Sequence, residues 1–130
     1  MTIEERAQKA MELKQLYGYN CCQAVTAALA DYTDLSEDEL IKLSAGFGAG
    51  MGNLEATCGS LVGAAMIAGL KSEGRGSMRL SRALSESFKD KCKATICKDL
   101  KGVGTGKVLC PCELCVKNAV LAFGEVVGNK

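Results

Sequence analysis

Across its 130 residues the chain has no stretch of alternating apolar and polar side chains, whereas helical spacing returns from one end to the other. Helices that each carry one apolar stripe can bury it only against other helices, so the expected fold class is all-α. Thr2 with Glu5 makes a capping box, followed by a stripe of Ile3, Ala7, Ala10, Met11 and Tyr17 that Gly18 ends. Asn20 can cap a second helix running to about Asp31, with Ala24, Val25, Ala28 and Leu29 inward. Ser36 with Glu39 opens a short third helix through Leu43. A segment from about Ser60 to Leu70 is apolar on every face and is expected to be the buried central helix. Ser77 is placed to cap a helix with Leu80, Leu84, Phe88 and Cys92 at intervals of four. A shorter turn or helix surrounds Cys97, and Pro111 suits the first turn of a last helix whose Val116, Ala119, Val120 and Phe123 share one face. The expectation is a single domain over residues 1–130, a bundle of five to six helices.

Composition narrows the function. Aromatic residues are 5% with no Trp, so Ala, Leu, Val, Ile and Met must fill the core. Net charge is +1, no argument for a nucleic-acid partner. The first 70 residues are acidic and the next 38 basic, which reads as solvated faces that complement each other. The N-terminal segment has no apolar core of the secretory kind, and Leu61–Leu70 is well short of the ~20 residues of a membrane span. These features point to a cytoplasmic chain. Histidine is absent, which excludes Ser-His-Asp and Cys-His pairs, Cys₂His₂ zinc sites and His-ligated haem.

Eight cysteines stand out against that background: Cys21, Cys22, Cys58, Cys92, Cys97, Cys110, Cys112 and Cys115. In a reducing compartment they read as ligands or redox groups before permanent cross-links, although a buried cysteine is also an ordinary core residue. Cys21 and Cys22, then Cys58, then Cys110, Cys112 and Cys115 fall at three expected helix starts. Free N–H groups and the positive end of the dipole favour thiolate there. Cys97, flanked by Lys93 and Lys98, is expected to be lowered too. Cys112-x-x-Cys115 has the spacing of a redox pair or half a metal site. The glycine segment 46–52 lacks the preceding strand and following Lys-Ser/Thr of a phosphate loop, and reads as tight turns and close backbone approach, or as a nest of amides near Cys58.

The run Thr57-Cys58-Gly59-Ser60-Leu61-Val62-Gly63-Ala64 resembles the signature of the C_GCAxxG_C_C family of redox-active proteins. The likeness extends to Asn20-Cys21-Cys22-Gln23-Ala24-Val25, to Gly46–Gly52, to Cys97-Lys98-Asp99-Leu100 and to Cys112-Glu113-Leu114-Cys115-Val116. Ser60 stands where the family motif has Ala, and Glu55 where a glycine is usual. The resemblance implies four shared redox-active cysteines, which carried over position by position are Cys21, Cys58, Cys97 and Cys112, and an association with transport functions; it gives no role to Cys22, Cys92, Cys110 or Cys115.

Three functions compete. The first is thiol/disulfide electron transfer with a partner protein or small thiol, Cys58 attacking and another cysteine resolving. The second is a thiolate site for Zn, Cu(I) or an iron–sulfur cluster held by Cys21, Cys58, Cys97 and Cys112. The third is a helical partner-binding module in which the thiols only pack. A homodimer through the last helix is compatible with all three.

Overall fold

The computed structural model describes residues 1–128. Among them there is no strand, and seven α-helices succeed one another: α1 (Ile3–Leu16), α2 (Cys21–Ala28), α3 (Glu37–Ser44), α4 (Gly59–Lys71), α5 (Ser77–Cys92), α6 (Cys97–Lys101) and α7 (Cys112–Val126). The expected bundle is therefore all-α with one or two more helices than foreseen, because the turn around Cys97 closes into a short helix. Thr2 and Ser36 start α1 and α3 as capping boxes, each accepting from the amide three residues on while Glu5 or Glu39 reaches back. The second helix stops at Ala28 rather than near Asp31, and the chain passes through a tight turn at Ala30–Tyr32. Ser77 is the first residue of α5, not its cap; Gly76 holds that place with φ of 66°.

The helix with neighbours on all sides is α2, not α4. It packs against α1, α3, α4 and α7, and seven of its eight residues are buried. Although α4 is apolar all round, it leaves Val62, Ala65 and Met66 only half-buried. Apolar composition says a helix can be surrounded, but connectivity decides which one is. The other stripes meet in one core: Leu84 and Phe88 of α5, Val116, Val120 and Phe123 of α7, and Leu29, Leu40 and Ile67 are fully covered. Each such side chain contributes about 1.5–3 kcal/mol of transfer free energy.

Small residues let α4 approach α2 closely. A Cβ added at Gly63 would lie 3.0 Å from the Cys22 carbonyl oxygen, and one at Gly59 would lie 2.6 Å from the Phe47 carbonyl oxygen and 3.2 Å from the Cys22 amide. This contact draws the N-terminal ends of α2 and α4, with their cysteines, to one end of the bundle.

Candidate functional site

Four helix starts converge at that end. Asn20 accepts from the Gln23 amide at 2.9 Å, and Gln23 returns the bond to the Asn20 amide at 3.0 Å, so Cys21 opens α2. The Asn20 amide group also donates to the Ala45 carbonyl at 2.9 Å, tying α2 to the glycine segment. Cys58 is the cap residue of α4. An isolated antiparallel bridge pairs Thr57 with Ile96; the Cys58 amide donates to Thr95 at 2.7 Å and the Cys97 amide to Ala56 at 3.0 Å. This two-bond stitch sets the starts of α4 and α6 side by side. Pro111 caps α7, and Cys112 is its first residue.

The glycine segment closes over these starts. Ala49, Gly50, Met51 and Gly52 all have positive φ, between 50° and 82°. A Cβ at Gly50 would sit 2.7 Å from Cys97 Cβ, so only glycine lets this backbone lie against Cys97. The reading of 46–52 as tight turns and close approach holds.

Cys21, Cys58, Cys97 and Cys112 line one cavity of about 340 Å³, together with Lys14 and Lys101. Of the eight cysteines, all free, Cys112 alone is not buried; Cys58 is 1% exposed. The four thiols differ in protonation. The neighbouring Cys112 and Cys58 sulfurs, together with burial, push the Cys21 pKa up. Cys58 is held well below the ordinary thiol range by bonds from Cys115 and Cys21, against the cost of burial, with Ser60 Oγ 2.9 Å away adding to the effect. Cys112 is lowered to about 5 by the bond from Cys21 and by the Lys101 ammonium, against desolvation. The Lys101 ammonium is buried without a conventional hydrogen-bond partner and finds its compensation in the Cys112 sulfur.

Position at a helix start is therefore not sufficient to make a thiolate. Cys21, Cys22 and Cys97 are raised, not lowered: bonds to neighbouring sulfurs dominate at Cys21, and desolvation at the other two, reaching about 12 at Cys22. Near Cys97 the cation that acts is Lys101, one turn further along α6, and not Lys93 or Lys98. Cys22 turns away from the cavity and meets Met66 Sδ at 3.7 Å.

Behind the cavity lies a second group of sulfurs that sequence reasoning left without a role. Cys92, Cys110 and Cys115 are buried with all three sulfurs within 4.8 Å of one another, a grouping that could hold a metal; the four cavity cysteines do not form such a group. This grouping is distinct from the Cys21, Cys58, Cys97 and Cys112 set expected for a thiolate site. The Leu84-Phe88-Cys92 stripe was a signal for it, since it aims Cys92 into the core, and Cys115 is buried three residues beyond Cys112 on α7. The Cys115 thiol donates to the Cys110 carbonyl at 3.4 Å, and its influence on the Cys58 pKa links the two groups.

Four thiols lining one cavity and three more grouped behind it are the donor set of a cysteine-centred redox or metal protein. The model of the family described as "Putative redox-active protein (C_GCAxxG_C_C)" matches residues 19–126, and the chain belongs to that family. No curated protein and no solved structure matches the chain.

Proposed function

We propose that the protein exchanges thiols for disulfides at the cavity, with Cys112 as the entry nucleophile and Cys21 as the resolving thiol. The observation that carries this reading is one partly exposed sulfur, lowered to about 5 and set against Lys101, that shares a cavity of about 340 Å³ with the buried Cys21 thiol. Burial of Cys58 moves the attack from Cys58 to Cys112, because a disulfide must reach the sulfur in line.

The Cys112 thiolate attacks one sulfur of a substrate disulfide, forming a mixed disulfide and expelling a thiolate. Once Cys112 is tied up in the mixed disulfide, its charge no longer holds the proton on Cys21, and Cys21 gives that proton to the substrate thiolate just expelled. The Cys21 thiolate then attacks Cys112, closing a Cys21–Cys112 disulfide and releasing the second substrate thiolate. One disulfide is reduced to two thiols, and one protein dithiol is oxidised. Lys14 and Lys101 at the cavity favour a substrate bearing a carboxylate, such as a small acidic disulfide. Cys97, held as a thiol by burial, forms a wall of the cavity and takes no step in this sequence.

Reduced protein mixed anaerobically with oxidised glutathione tests the assignment. The wild type forms a Cys21–Cys112 disulfide and Cys21→Ser stops at a glutathionylated Cys112, both identified by peptide mass. A Cys112→Ser variant that reduces glutathione disulfide at the wild-type rate refutes the assignment.

A further inference from the structure

Cys92, Cys110 and Cys115 come from three separate places. Cys92 is the last residue of α5, one turn beyond Phe88 on the buried stripe. Cys110 is held on the approach to α7 by its amide bond to the Leu100 carbonyl at 3.2 Å. Cys115 lies in the first turn of α7. They are 0%, 3% and 0% exposed. The Cys92 and Cys110 sulfurs are 3.3 Å apart, and the third lies within 4.8 Å of both. Asn118, one turn along α7 from Cys115, directs its amide nitrogen at Cys92 Sγ (3.3 Å) and at Cys110 Sγ (3.9 Å).

Three thiols that merely filled a core would need no such partner. The Asn118 NH₂ group donates to Cys92 and Cys110 while the Cys115 thiol donates to the Cys110 carbonyl at 3.4 Å; on binding a metal the thiols would release their protons, and Asn118 would orient the resulting thiolates as an outer-layer donor does. Thiolates about 2.3 Å from a common ion in a plane lie about 4 Å from one another, a separation the trio meets with shifts of a few tenths of an ångström to somewhat under one. The donor atoms are all sulfur, which disfavours hard cations. Coordination number then selects among soft ones. Zinc held by three protein ligands keeps water in the fourth position, and this trio has no exposed side from which water could complete the set. A soft ion content with three sulfurs fits.

We propose that Cys92, Cys110 and Cys115 form a buried three-thiolate site for Cu(I), braced by Asn118. The site uses none of the sulfurs that carry the disulfide exchange, so each proposal stands or falls separately.

The test uses the reduced full-length protein under anaerobic conditions, titrated with Cu(I) presented as its bicinchoninate complex. The wild type withdraws one equivalent of Cu(I), and X-ray absorption of the product shows three sulfur neighbours at about 2.3 Å. Cys92→Ser, Cys110→Ser and Cys115→Ser each weaken retention at least about tenfold, the scale on which even supporting groups act at metal sites. Cys112→Ser retains Cu(I) as the wild type does while losing disulfide exchange. The proposal is overturned if the wild type takes no Cu(I) from bicinchoninate, if the absorption spectrum shows two or four sulfur neighbours, or if retention is lost with Cys112→Ser and kept with Cys115→Ser. The spectroscopic arm needs no variant, so misfolding of a substituted protein cannot decide the outcome.

Discussion

Replacing Lys101 by Met keeps the buried stem and removes the ammonium that acts most strongly on Cys112, leaving Lys14 in place, so it isolates the charge from the packing. Two unit charges about 4 Å apart attract by about 4 kcal/mol at an effective dielectric near 20, and by about 1 kcal/mol in bulk water. Cys112 is only partly covered, so the pair falls between these limits, at about 1.5–3 kcal/mol. At about 1.4 kcal/mol per pKa unit, Lys101→Met raises the Cys112 midpoint by about 1–2 units. The remainder of its lowering comes from the Cys21 bond, the largest single cause, and survives. The assay follows iodoacetamide labelling of Cys112 in the reduced protein, read by peptide mass, from about pH 4 to about pH 9, a range that spans the lowered and ordinary thiol values. A wild-type midpoint near the ordinary thiol value, or one that Lys101→Met leaves in place, refutes the electrostatic argument and with it the reason for making Cys112 the entry nucleophile.

The thiols also make stability depend on pH. The unfolded chain binds a proton at Cys112 that the native protein has already released, so the stability of the reduced protein rises from about pH 5, the native value, toward the ordinary 9.0 and is lost again on acidification through pH 5. Urea midpoints that stay flat or fall over this window contradict the assigned direction. In α4, Gly59→Ala forces a Cβ to 2.6 Å from the Phe47 carbonyl and costs about 1–3 kcal/mol, whereas Gly69→Ala meets nothing within 4 Å and gains about 0.5–1 kcal/mol of helix propensity. Denaturant unfolding of both variants checks this, and equal shifts would show that α2 and α4 are not in close contact.

Much of the fold can be read from local patterns because the signals are local. A capping box needs only Thr2 and Glu5, or Ser36 and Glu39, and a stripe such as Leu84-Phe88-Cys92 needs only a period. Four of the cavity's cysteines were found from their resemblance to a family signature, and the structure lines one cavity with all four. The sequence could not say that α2 rather than α4 is surrounded, because both are apolar and only packing assigns neighbours.

Nor could residue order reveal the charges of the thiols. Every cysteine at a helix start shares the same local advantage, yet Cys112 and Cys58 are lowered while Cys21 and Cys22 are raised. Which sulfur donates, which accepts, and which lies beside Lys101 depends on contacts between remote stretches of chain. The same holds for Cys92, Cys110 and Cys115: separated by up to 23 residues, they come together only because α5 and α7 pack against each other. Helix propensity is a property of neighbours in the chain, whereas thiolate stability and metal geometry belong to neighbours in space.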